Sequence, residues 1–184
     1  MQAARGTSLS DADHRRPKAS ASARSRWFLA GIAATAYAVD VVSKQLAVNR
    51  LADGDVPVLG NVFVLRLTYN PGAAFSLGTE YTLALSCLAI AAVGVILSIS
   101  RRVGDPVWAL ALGLLLGGVA GNLTDRLVRD PGPMRGHVVD LFMVPHWPVF
   151  NVADICINLA AGLIVLQAVR GVSLDGNRER AAHQ

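Results

Sequence analysis

Three apolar stretches, Thr82 to Ser100, Trp108 to Leu127 and Phe150 to Val169, constrain this 184-residue chain more than any other feature. A helix needs about 20 residues, rising about 1.5 Å each, to cross the hydrocarbon core of a bilayer. Each stretch has that length and carries few charges. A fourth, Trp27 to Val48, also has it, provided that Asp40 and Lys44 within it find partners. Composition agrees, since 53% of residues are hydrophobic and only 16% charged, outside the usual range for a soluble globule. The first stretch follows basic residues, as a cleaved leader would. It lacks a small-residue cleavage site and is interrupted by Asp40, so a retained helix is expected.

Lys and Arg in the connecting segments predict the orientation. Arg5, Arg15, Arg16, Lys18, Arg24 and Arg26 precede the first span, Arg101 and Arg102 separate the second and third, and Arg170, Arg178 and Arg180 follow the last. The other two loops hold Arg50, Arg66, Arg129 and Arg135. Both termini are therefore expected in the cytoplasm and both long loops outside. The net charge of +4 comes largely from these flanks, which argues against nucleic-acid binding. Cys87 and Cys156 fall in different spans without a CxxC spacing, so neither a disulfide framework nor a metal knuckle is expected.

Residues 1–26, rich in Ala, Ser, Arg and Asp without apolar periodicity, read as a disordered basic cytoplasmic arm. The segment 51–81 is too polar to span. Val56 to Asn61 and the β-branched, aromatic run Val62 to Tyr69 predict a strand, a turn and a second strand. This element should rest on the membrane surface, because open sheet edges cannot face lipid. Asp130-Pro131-Gly132-Pro133 predicts a turn, and His137 to Val144 a strand returning to the same external sheet.

Ionisable groups inside membrane helices cost at least a few kcal/mol each and mark functional candidates. Asp40 and Lys44 are spaced i, i+4 and can pair at a helix end. Asn122, Asp125 and Arg126 share one face after a run of glycines that permits close helix approach, and an Asp125–Arg126 clamp is the structural reading of that cluster. Asn151, Asp154 and Asn158 form a polar stripe on an apolar helix, with Asp154 about one turn inside and facing the bundle. Asp140 sits between apolar neighbours in Val138-Val139-Asp140-Leu141-Phe142. Strand alternation turns it away from Val139 and Leu141, while Pro145 and Pro148 let the chain fold back toward Asp154. Paired carboxylates can divide their roles, one protonated as donor and the other ionised as acceptor, which suits hydrolysis without metal or covalent intermediate. The four His show no HExxH spacing, and no Ser has a G-x-S-x-G context. No cofactor or metal is expected. A proton-coupled transporter would use similar residues, but here they concentrate at one end instead of tracing a path across the membrane. A lipid-binding scaffold without catalysis is the remaining alternative.

Five segments in order, Asp40-Val41-Val42-Ser43-Lys44, Asn70 to Ser76, Gly117 to Arg126, Val138-Val139-Asp140 and Phe150 to Asp154, resemble the successive motifs of the lipoprotein signal peptidases, signal peptidase II. The resemblance implies four transmembrane helices with a small external antiparallel β-sheet, as a peptidase domain over 27–169 followed by a cytoplasmic tail, 170–184. It implies Asp140 and Asp154 as a catalytic aspartyl pair. Asn70, Gly72, Asn122, Asp125, Arg126 and Asn151 would bind substrate or support the site, and Asp40 and Lys44 would be structural. The implied partners are membrane lipid and prolipoproteins whose Cys carries diacylglycerol, cut just before that Cys. The segment Val128 to Gly136 is longer than in the family's shortest versions. Gly72-Ala73-Ala74 offers a backbone that an extended peptide could approach and a loop expected to close over it.

Overall fold

The computed structural model describes residues 18–72 and 81–177, with side chains from residue 23. Four helices and three strands follow one another along it. Helix α1 (Lys18–Arg50) leads into strands β1 (Val56–Leu59) and β2 (Phe63–Asn70). Helices α2 (Thr82–Ser100) and α3 (Pro106–Val128) follow, then strand β3 (Val138–Met143) and helix α4 (Val152–Val169). Helix α1 begins nine residues before the expected start at Trp27, so residues 18–26 are helical and not part of a disordered arm. The cause is local: Lys, Ala and Arg after Pro17 are good helix formers, and nothing in that stretch breaks a helix. Residues 1–17 and 178–184, the remainder of the arm and the end of the tail, lie outside the described residues.

Helices α2, α3 and α4 are long and apolar enough to cross a membrane. Helix α1 is longer but carries Asp40 and Lys44, both fully buried, in its second half. Helix α3 is central and packs against the other three. Its glycines make that possible. A Cβ at Gly113 would come within 2.9 Å of the Leu29 carbonyl and the Ile32 side chain, and one at Gly117 within 2.7 Å of the Ala33 carbonyl. Gly118 faces the opposite way, where a Cβ would lie 2.7 Å from the Ala153 carbonyl of α4. Close backbone approach of this kind substitutes for the hydrophobic drive that helices lack in lipid. Large apolar side chains such as Leu88, Leu159 and Val165 remain exposed on the outer helix surfaces, as a lipid-facing layer requires.

The ends are held by specific caps. Asp105 caps α3, accepting from the backbone N–H groups of Val107 and Trp108 at 2.9 Å, with Pro106 at the first turn. Gln167 of α4 donates to the same carboxylate at 2.8 Å, and the Trp108 indole to the Val172 carbonyl at 2.8 Å. At the opposite end lies the sheet, antiparallel throughout, in the order β1-β2-β3. Gly60, at φ +54°, turns β1 into β2. The expected strand after the 130–133 turn is β3, and Val139 and Leu141 pack on Ala47 of α1 and on Leu51 just after it. The sheet is thereby anchored over the ends of α1 and α3 from which the chain leaves and the start of α4.

Candidate active site

Asp140 is delivered to the site by strand geometry. It lies opposite Thr68 in the β2–β3 ladder, and Asn70, two residues along β2, stands on the same face. Asn70 Nδ2 donates to Asp140 Oδ2 at 3.0 Å, while its own carbonyl accepts the Gly72 N–H at 3.0 Å. After β3 the chain doubles back through Pro145 and Pro148, and Phe150 exchanges backbone hydrogen bonds with Phe142 at 2.8 and 3.0 Å. Asn151 follows at once, and its Nδ2 donates to Asp140 Oδ1 at 2.6 Å.

Asn151 also begins α4. Its side-chain oxygen accepts the Asp154 N–H at 2.9 Å, and Asp154 Oδ2 accepts the Asn151 N–H at 3.2 Å, a reciprocal capping box. Asp154 thus occupies the first turn of α4, not a position one turn inside the helix as the sequence suggested. The helix starts later than hydropathy implies because Phe150 is taken into the sheet edge. One asparagine therefore joins the two carboxylates. Asp154 Oδ1 takes a further hydrogen bond from Asn122 Nδ2 at 3.2 Å. Asn158, the third member of the expected stripe, is exposed and donates to the Asp154 backbone carbonyl at 2.9 Å, so it adds nothing to the carboxylate.

The two carboxylates differ in setting. Asp140 is 2% exposed, and Asp154 is half-buried at a helix N-terminus, where the helix dipole favours negative charge. Burial pushes the Asp140 carboxyl up to about 6; its hydrogen bond from Asn70 opposes the rise, the charge of Asp154 adds to it, and Asn151 and Lys44 oppose it.

Behind the pair is a buried ionic cluster. The expected Asp40–Lys44 contact is present at 2.7 Å, but Lys44 Nζ also lies 3.1 Å from Asp125 Oδ2 and donates to Asn122 Oδ1 at 2.7 Å. Asp40 Oδ1 accepts the Ala153 N–H at 2.8 Å, holding the start of α4 against α1. Asp125 accepts the Val139 N–H at 3.1 Å and pairs with Arg129. The clamp expected between Asp125 and Arg126 does not form: consecutive residues on a helix diverge by about 100°, and Arg126 turns to the β2–α2 loop. There its guanidinium donates to the carbonyls of Pro71 at 3.3 Å and Gly72 at 2.6 Å.

Two residues at this end had been given no site role from the sequence. Thr82 Oγ1 donates to the Pro71 carbonyl at 2.8 Å, and the fully buried Ser86 hydroxyl donates to the Met134 carbonyl at 2.7 Å. A hydroxyl at the N-terminal end of an apolar helix was the available signal. Ala73 and Ala74 of the expected closing loop lie outside the described residues; Gly72 is held by Asn70 and Arg126 as above. No group of His, Cys, Asp and Glu able to hold a metal occurs among the described residues.

A four-helix body with a sheet at one end is a fold already seen in a membrane enzyme. A solved structure of a bacterial membrane enzyme at 2.3 Å superposes with a TM-score of 0.69, covering 82% of this chain and 92% of that one at 20% identity. In sequence, residues 32–170 match the family model described as signal peptidase (SPase) II, and the chain belongs to that family of membrane proteases. The lipoprotein signal peptidase of Mycobacterium avium is 46% identical over 156 residues, covering 83% of this chain and 86% of the relative. That of Mycolicibacterium smegmatis is 48% identical over 145 residues, 78% of this chain and 62% of the relative.

Proposed function

We propose that this protease removes signal peptides from diacylglyceryl-modified prolipoproteins by cutting just before the lipidated Cys, with Asp140 and Asp154 as an aspartyl pair. The observation that carries the reading is the pair itself: two carboxylates from different elements, joined through Asn151, at the end of the bundle where the sheet lies. Helix α1 is the fourth span, both termini are cytoplasmic, and the pair sits near the external face of the plasma membrane. The buried pairing of Asp40 with Lys44 supports the span, because it removes two isolated charges from the lipid-embedded stretch. A lipid-anchored Cys would hold the scissile bond at this depth.

In the proposed reaction Asp154 is the ionised base and Asp140 the protonated acid. Asp154 takes a proton from a water whose oxygen attacks the scissile carbonyl carbon, while Asp140 gives its proton to the carbonyl oxygen. Collapse of the resulting diol breaks the C–N bond, and the proton held by Asp154 passes to the departing amine. The proton on the diol returns to Asp140. The proton affinity of Asp140, raised by burial, and the helix-end position of Asp154 support this division. Asn70, Asn122 and Asn151 fix the two carboxylates, and Arg126 holds the Pro71–Gly72 turn beside them. Incubating the purified protein with a diacylated prolipoprotein peptide should yield a single cut before the modified Cys. Cleavage of the unlipidated peptide at an equal rate would contradict the substrate assignment.

A further inference from the structure

Lys44 is more than the partner of Asp40. Its ammonium is buried and touches three groups: Asp40 Oδ2 at 2.7 Å, Asp125 Oδ2 at 3.1 Å and Asn122 Oδ1 at 2.7 Å. The first two contacts are ionic and would suffice to bury the charge. The third is to a side-chain amide whose other end donates to Asp154 Oδ1. An asparagine amide has two nearly isosteric ends, one that only accepts and one that only donates. An ammonium can only donate, so whatever it touches must be the oxygen. We propose that Lys44 is a positioning residue for hydrolysis, locking the Asn122 amide in the one orientation that presents an N–H to Asp154 and so keeps that carboxylate an aligned acceptor.

The alternative orientation shows what the lock prevents. With the amide reversed, its oxygen would face the Asp154 carboxylate, and two acceptors would meet where a donor is needed. Asp154 would then turn away or take up a proton, and either outcome removes the base. Asn151 Nδ2, 3.3 Å from Asn122 Oδ1, favours the same orientation but sits at the limit of hydrogen-bond length. Asp125 serves the lock from behind. Held by Arg129 and by the Val139 N–H, it keeps the ammonium in place at 3.1 Å. The sequence α1 to α3 to α4 is thereby wired through one ammonium and one amide to the start of the α4 helix.

This inference rests on the role given to Asp154, and a double-mutant cycle separates the two. Cleavage of the diacylated peptide is measured for Lys44→Met, Asn122→Ala and the double variant in the full-length protein in detergent. Lys44→Met should lower kcat on the order of 10²-fold with KM changed less than about twofold, the cost of a misplaced catalytic group. In the Asn122→Ala background the same change should cost less than about threefold more, because nothing remains to orient. A further loss on the order of 10²-fold in that background, or a rise in KM with kcat unchanged, would overturn the proposal and leave Lys44 a structural ion-pair partner. Should Lys44→Met fail to fold, the cycle is run in an Asp40→Asn background, where one charge of each sign has gone and the cluster keeps its net charge. Full cleavage by Asp154→Asn would instead refute the underlying reading, whatever the cycle gives.

Discussion

At Asp140, burial and chemistry pull in one direction. Its carboxyl, raised to about 6 from an ordinary 3.8, binds a proton in the folded protein that the unfolded chain has already lost. The stability it contributes is full below about pH 4 and disappears as pH rises to about 6, an effect on the order of 2–3 kcal/mol. Thermal unfolding in detergent should show that slope in the wild type and not in Asp140→Asn. If Asp140 is the acid, kcat/KM should also bend downward above about pH 6, as its proton is lost in the free enzyme. Asp154 could be nominated from sequence alone, as a carboxylate in an apolar helix that must face the bundle. Asp140 could be matched to a motif, but its hydrogen bonds from Asn70 and Asn151 depend on a ladder register and a chain reversal that no local pattern encodes. Of the partners of Lys44, only Asp40 was legible; Asp125 and Asn122 on α3 were hidden, because spacing reveals only neighbours on the same helix.

Elements position these groups through close contacts, and each contact makes a prediction. A methyl at Gly118 would meet the Ala153 carbonyl at 2.7 Å, a backbone atom that cannot step aside. Gly118→Ala should therefore push the start of α4 away from α3, destabilise the protein by about 1–3 kcal/mol and lower kcat at least tenfold by moving Asp154. An unchanged melting temperature and rate would show that α3 and α4 pack less tightly than described. Arg126 and Thr82 both bond to the Pro71 carbonyl, so Arg126→Lys, which loses the fork that reaches Pro71 and Gly72 together, should slow cleavage more than it lowers stability. Comparing kcat with the melting temperature of that variant checks the point. The glycine run in α3 announced a close helix contact in the sequence, but not that Gly113 and Gly117 serve α1 while Gly118 serves α4. Asp125 and Arg126 looked like a pair for a related reason: sequence adjacency says nothing of which neighbour each side chain turns to meet.

For the whole molecule, apolar runs and strand-forming composition were enough to place four helices and an added sheet in order along the chain. They misplaced the first helix start, since helix-forming Ala, Lys and Arg continue α1 well beyond its apolar part. The proposed topology puts the 128–137 loop outside and the Arg101–Arg102 turn in the cytoplasm. In intact cells a membrane-impermeant maleimide should label Arg135→Cys, and should label Arg102→Cys only after permeabilisation; the reverse pattern would invert the orientation. In the proposed function Asp140 and Asp154 together hydrolyse the bond before a lipidated Cys. Cleavage of a diacylated prolipoprotein peptide by purified wild type, Asp140→Asn and Asp154→Asn tests it most directly. One cut before the modified Cys is expected with wild type and a loss of at least about 10³-fold in each folded variant, whereas full cleavage by either variant would rule the pair out as the hydrolytic groups.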